Sequence, residues 1–219
     1  MIAHLARPWL VADLGGPHRV LSWSLNRPGF VEAERIVWRE VRNADLPENL
    51  DAPAWFKAEL DAAGHAEAVG LLTSRTLTRF VTTEATAEDI TARCIATVGL
   101  SNAERIGTRL SHAALAGTIN IAVAVSLPLA DAALIEALSI ASEARTAAVL
   151  AHGPDLPTGR ATGTGTDCIA VAAPPGRALH AGLHTPVGEA LGRAVLDAVA
   201  RATQDWMTEQ GGSDGRSTR

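Results

Sequence analysis

Tyrosine is absent from this 219-residue chain, lysine occurs once, at Lys57, and cysteine and methionine occur twice each. The two cysteines, Cys94 and Cys168, make no CxxC pair and no framework of the kind that staples small secreted domains, which fits a reducing compartment. Met1 to Pro8 lacks the charged start and apolar segment of a signal peptide, and no apolar run approaches ~20 residues without polar interruption. The expectation is therefore a soluble, cytoplasmic protein with no membrane partner. A formal charge of −5, with no Lys/Arg-rich block, gives no electrostatic reason to expect nucleic acid. The seven histidines are scattered, with no HExxH and no Cys/His cluster, so no dedicated metal site is expected. Walker-type Gly-Lys-Ser/Thr and nucleophile-elbow GxSxG patterns are also missing.

What remains is a hydrophobic content of 47% against 20% charged residues, enough to bury one substantial core. Residues 1–208 are expected to form a single α+β domain, a central mixed or antiparallel sheet with flanking helices, with an αββα layered sandwich as one form of it. Residues 209–219, rich in Gly and Ser, read as a disordered tail.

Trp9 to Ala12 and Arg19 to Leu25 flank Gly15-Gly16-Pro17 and read as a hairpin. Ile36 to Val41 reads as a strand and Pro53 to Ala63 as a short helix closed by Gly64, after which Val69 to Leu72 runs into Thr73-Ser74-Arg75. Arg93 to Val98 and Ile119 to Val125 are strands, the second carrying Ile119, Ile121, Val123 and Val125 on one face and Asn120, Ala122 and Ala124 on the other. Ala130 to Ala151 is predicted as a helix. Cys168 to Ala172 is a strand, and Thr185-Pro186 opens a C-terminal helix, since Thr can cap and Pro fits the first turn.

The segment Thr162-Gly163-Thr164-Gly165-Thr166-Asp167-Cys168 places flexible backbone, hydroxyls and a carboxylate at the entrance of a strand. Asp167 is a candidate general base or a residue capping its own turn. Glu143 is a second candidate, or an ordinary charge on a helix face. Asn120, a mid-strand amide, either contacts substrate or bridges to a neighbouring loop. Ser101 and Asn102 either bind a substrate amide or cap a helix over 103–108. Thr118, Gly163, Thr164, Gly165 and Thr166 are candidate substrate contacts. So are Arg75, Arg105 and His184, each against the alternative of an ordinary surface group. Cys168 is read as a small packing residue.

Several linked stretches resemble the adenosylcobinamide amidohydrolase family in order and over roughly residues 9–205. They are Gly99-Leu100-Ser101-Asn102-Ala103-Glu104-Arg105-Ile106-Gly107, Gly117-Thr118-Ile119-Asn120-Ile121, Ser142-Glu143-Ala144-Arg145-Thr146-Ala147-Ala148, Ala161 to Asp167 and Thr185-Pro186-Val187-Gly188-Glu189. The resemblance implies hydrolysis of the amide between a corrin propionyl side chain and aminopropanol, releasing adenosylcobyric acid in cobamide salvage. It implies a corrinoid as the small-molecule partner, with cobalt arriving inside the substrate and no cofactor required; a homo-oligomer is compatible with it. Asp167, Glu143 and Asn120 would carry the chemistry. The family pattern reads Thr-Glu-Ala-Lys where this chain has Ser142-Glu143-Ala144-Arg145; an arginine there can clamp charge but cannot shuttle a proton. A corrinoid binder without hydrolytic activity, or a hydrolase of another small amide, are the alternatives. A looser likeness, over Gly117 to Leu129 and the later strand entrance, is to self-processing aminopeptidases related to ornithine acetyltransferases, whose self-cleavage motif is not found here.

Overall fold

The computed structural model describes residues 1–42, 45–47, 49–110 and 117–214. The elements run β1 (Ile2–Ala6), β2 (Trp9–Ser22), β3 (Gly29–Glu40), α1 (Ala52–Ala62), β4 (Val69–Thr73), β5 (Val81–Ala87), β6 (Ile90–Val98), β7 (Ala103–Glu104), β8 (Ile119–Val125), α2 (Asp131–His152), β9 (Asp155–Leu156), β10 (Gly159–Arg160), β11 (Gly163–Thr164), β12 (Cys168–Ala173) and α3 (Pro186–Asp214). One mixed eight-stranded sheet, in the order β4-β3-β2-β12-β8-β6-β5 with β1 on β2, forms an α+β fold with three α-helices among the described residues. The pairs β3–β4 and β8–β12 are parallel and the rest antiparallel.

Alternation along each strand sorts the core into layers. Ala122 and Ala124 of β8 and Ala170 and Ala172 of β12 share one buried cluster with Leu10, Ile36, Trp38, Val69 and Leu71 of β2, β3 and β4. β4 and β8 are separated in the sheet order by β3, β2 and β12 and yet lie against each other, so the sheet curls until its two wings face each other. The alanines of one wing leave room for the indole and branched side chains of the other, which is how two large surfaces close without voids. The opposite face of β8 and β12, with Ile119, Ile121, Val123, Ile169 and Val171, packs under α2 and α3. On the other wing, Val37 and Ala68 pack under Phe56 and Leu60 of α1. The layers thus run helix, wing, wing, helices, made by one sheet folded on itself.

The expected hairpin at Gly15-Gly16-Pro17 is instead a bulge inside one 14-residue strand. β3 pairs with β2 on both sides of the irregularity, and Gly15 (φ 83°) and Gly16 (φ 149°) absorb the kink that would otherwise turn the chain. The helix expected over 103–108 is also not formed: Ala103 and Glu104 pair with Thr164 and Gly163. α1 is capped by Asp51, whose carboxylate accepts from Ala54 N–H at 3.0 Å, and α3 by Thr185, whose hydroxyl accepts from Gly188 N–H at 3.0 Å. α3 continues past Trp206 to Asp214, and 215–219 of the expected tail lie outside the described residues.

Candidate active site

β8 and β12 are parallel neighbours, so their first residues lie side by side, with Cys168 opposite Asn120. The last residues of β4 lie across from them because the sheet curls. A cavity of about 410 Å³ opens there, bordered by Asn102, Thr118, Asn120, Thr166, Asp167 and Cys168 on one side. Trp23, Leu25, Val41, Leu46, Leu72 and Thr73 complete its border. One wall is mostly polar and the other mostly apolar.

The polar wall is stitched together by short bonds. The Asn120 side chain is 1% exposed, and its Nδ2 donates to the Leu72 carbonyl at 2.5 Å, tying β8 to β4. The Thr118 hydroxyl donates to the Thr166 carbonyl at 2.9 Å, and the Thr166 hydroxyl donates to the Gly117 carbonyl at 2.8 Å. Gly117 is required here, since a Cβ would come within 2.5 Å of Asn102 Oδ1 and 2.9 Å of the Ser101 nitrogen. Asn102 Oδ1 is buried and accepts no hydrogen bond among the described residues.

Asp167 precedes β12 with the parity of Ile169 and Val171, which turns its carboxylate toward α2, where Arg145 meets it in an ion pair. Oδ2 also accepts from Thr164 N–H at 3.0 Å, while Oδ1 accepts from Ile119 N–H at 3.0 Å and from the Thr164 hydroxyl at 2.5 Å. Two bonds on each oxygen fill the acceptor positions of a carboxylate. Burial pushes the Asp167 carboxyl above the ordinary value, against the opposing pull of the Arg145 charge, the Thr164 hydroxyl and N–H, and the Ile119 N–H. Gly163 is a close-approach glycine: a Cβ there would run into the Arg145 guanidinium and lie 2.7 Å from Asp167 Oδ2. The backbone carbonyl of Asp167 accepts from Trp23 Nε1 at 2.6 Å, which fixes the indole at the cavity.

Other residues singled out from sequence take different places. Glu143 is exposed on α2, accepts from the Ser139 hydroxyl at 3.4 Å and is not among the residues bordering the cavity. Arg75 is held in a two-pronged pair with Glu209 of α3, at 2.5 and 3.0 Å, and Arg79 joins the same carboxylate at 3.1 Å. Arg105 donates to the Arg160 carbonyl at 3.2 Å, Ser101 and Gly165 are exposed, and His184 is exposed just ahead of α3. Burial pushes the Cys168 thiol up to about 12, which leaves it a poor nucleophile although it borders the cavity. Sequence reasoning missed the apolar wall as a whole. Trp23, at the end of a run alternating with Leu21 and Leu25, was its available signal.

The opening in this curled α+β sheet combines buried amides, hydroxyls and a carboxylate with an apolar wall, a lining of the mixed kind found in small-molecule pockets. The model of one family, described as adenosylcobinamide amidohydrolase, matches residues 2–211, and the chain belongs to that family. An adenosylcobinamide amidohydrolase of Halobacterium salinarum is 38% identical over 128 residues, which is 52% of each chain. The chain thus spans about half the length of that curated relative, 52%. Among solved structures, the PH0078 protein of Pyrococcus horikoshii overlaps 89% of this chain and 76% of its own, at 10% identity and a TM-score of 0.45. A β-aminopeptidase of Burkholderia sp. overlaps 89% and 78%, at 13% identity and a TM-score of 0.43.

Proposed function

We propose that this protein hydrolyses the amide joining a corrin propionyl side chain to aminopropanol, converting adenosylcobinamide to adenosylcobyric acid. The observation that carries the reading, beside family membership, is a buried carboxylate paired with Arg145 at the edge of a cavity lined by Asn102, Thr118, Asn120 and Thr166. In the reaction, water adds to the amide carbon and gives up a proton, the C–N bond breaks and the amine leaves protonated. Asp167 is the proton acceptor. Of its four donors, the Thr164 hydroxyl is the one that can turn away by bond rotation alone, and when it does Oδ1 opens to a water. Asn102 and Thr118 bind the side-chain amide, and the cation on Arg145 draws the Asp167 carboxyl down against the upward push of its burial. Arg145 in place of the family's lysine suits this clamping role, because no proton has to pass through it. No metal or cofactor of the protein enters the scheme, and cobalt belongs to the substrate.

The filled acceptor shell of Asp167 favours one second reading, a corrinoid-binding protein without turnover. The two are separated by incubating the purified protein with adenosylcobinamide, with and without a chelator, and analysing products by mass spectrometry. Adenosylcobyric acid and aminopropanol in both samples are the expected result. Tight binding with no product would establish the second reading, and neither binding nor product would overturn both.

A further inference from the structure

Resting on that reading, the shape of the cavity bears on where the bulk of the substrate sits. A drug-sized ligand occupies a pocket of ~300–1,000 Å³. The cavity, about 410 Å³, lies at the lower end of that range, whereas a corrinoid carrying a nucleoside ligand is far larger than a drug-sized molecule. The side arm bearing the scissile amide can enter; the macrocycle cannot. It must remain outside, against whatever surface borders the opening.

That surface carries two exposed apolar side chains. Trp23 is 46% exposed and Leu25 is 45% exposed, although both border the cavity. They sit together in the connection from β2 to β3, followed by Asn26, whose amide donates to the Ala68 carbonyl at 2.9 Å and accepts from Gly70 N–H at 2.9 Å. The connection is therefore fixed to β4 at one end, and the Trp23 indole is fixed to the Asp167 carbonyl at the other. An indole whose N–H is satisfied inside the protein and whose ring is left to water presents a rigid apolar face, with little conformational entropy to lose on binding. Its anchor is the residue that also holds the site's carboxylate, so ring placement and amide placement share one reference point.

We propose that Trp23, with Leu25 beside it, is the platform on which the corrin macrocycle rests while its aminopropanol arm reaches the polar wall. Trp23 is thus a specificity-determining residue, selecting amides that carry a large apolar body over small amides of the same chemistry. The platform contributes binding energy remote from the reacting bond, and its removal raises KM for the macrocyclic substrate more than it lowers kcat.

The test compares the full-length protein with Trp23→Ala, Trp23→Phe and, as a control for loss of an exposed apolar side chain elsewhere, Leu179→Ala, each checked for folding by thermal denaturation. Turnover of adenosylcobinamide is measured together with equilibrium dialysis of adenosylcobyric acid, a corrinoid that lacks the scissile amide. A ring-free amide of propionate and aminopropanol serves as a competitive inhibitor. Trp23→Ala should raise KM and the corrinoid Kd about 10-fold or more, as removal of a central aromatic anchor does. The preference for the corrinoid over the ring-free amide should shrink by the same factor, and Trp23→Phe should recover most of the loss. Hydrolysis by the unaltered protein with no change in KM for Trp23→Ala would overturn the platform and leave the function standing. So would Trp23→Phe failing as badly as Trp23→Ala, since the N–H bond to Asp167 would then be what mattered. Binding without hydrolysis, weakened in Trp23→Ala, would overturn the function and leave the platform. Neither binding nor hydrolysis by the unaltered protein would overturn both.

Discussion

Two arginine–carboxylate pairs hold segments that border the cavity to the helices: Arg145 of α2 with Asp167 at the entrance of β12, and Arg75, just past β4, with Glu209 of α3. They differ in burial, and pH acts on them in opposite senses. The Asp167 side chain is 6% exposed, and its burial wins over its partners, so its carboxyl lies above the ordinary value. Glu209 is 30% exposed, and the hydrogen bonds and charge of Arg75, with Arg79 behind them, draw its carboxyl below the ordinary value. The same chemical pair therefore does two jobs. Near water it acts as a fastening; in the interior it leaves a carboxylate that holds its proton more tightly than usual, the direction that suits the base proposed above.

The largest expected effect comes from Asp167→Asn, which keeps the shape and removes the charge. Steady-state turnover should fall by at least about 100-fold. Leaving the Arg145 guanidinium buried without its counter-charge should also cost about 3 kcal/mol of stability, measured by chemical denaturation. Near-normal turnover would remove Asp167 from the chemistry and leave it a structural clasp. The glycines sharpen the same contrast between walls. Gly163→Ala drives a methyl between Arg145 and Asp167, whereas Gly70→Ala drives one against the Phe56 ring, 2.6 Å from Cζ, on the α1 side. Both should cost about 1–3 kcal/mol by overpacking. Only Gly163→Ala should carry a further loss of turnover of about 10-fold or more, because it alone separates the charges of the candidate base.

Arg145→Met and Arg145→Lys test the electrostatic half of the comparison. Without the cation, one of the forces lowering the Asp167 carboxyl is gone, so its value rises further and the acid limb of the pH–rate profile moves to higher pH. Arg145→Lys should restore most of the original profile, because a charge clamp needs only the charge. Stability follows with a definite sign. A carboxyl whose folded value lies above its unfolded value holds its proton more tightly in the native state. Its contribution is full below the ordinary carboxylate range and is lost as pH rises through the folded value. Denaturation midpoints across a pH series should fall more steeply with rising pH in Arg145→Met than in the unaltered protein.

How far these features could be read in the residues varied with the kind of signal. The bounds of β8, Ile119–Val125, follow from strict alternation of branched residues with alanine, and the same alternation put Asn120 on the inner face. The Thr/Gly segment before β12 stood out because glycine at 163 is demanded by the approach of Arg145, and that demand is local to the loop. The identity of the partner was not local. Arg145 reaches Asp167 only because α2 packs over β12, a relation that no spacing in the chain encodes. Edge strands were the hardest: β5, with the burial of its side chains alternating along Val81–Ala87, gave no pattern distinct from a loop. The Gly15-Gly16-Pro17 turn signal was sound chemistry overruled by β3, which pairs on both sides of it.

The smallest effect, and the one that isolates the outer pair, is Glu209→Gln. The substitution leaves the exposed Arg79 in water and the largely buried Arg75 beside an amide oxygen that still accepts its hydrogen bond, so the cost should be about 1 kcal/mol. For a chain of this size that corresponds to roughly 2–4 °C in melting temperature. Turnover should stay within a few-fold of the original, because Thr73 and Ser74 are held to the sheet by β4 as well as by the Arg75 anchor. The pH dependence identifies the cause. A carboxyl held below its ordinary value contributes stability above the unfolded value and loses it as pH falls through the folded one, so Glu209→Gln should flatten the acid side of the stability curve. Arg145→Met instead steepens the side where pH is rising. A Glu209→Gln protein that lost turnover as severely as Asp167→Asn would show that the two walls are not independent, and that the position of β4 is set from α3.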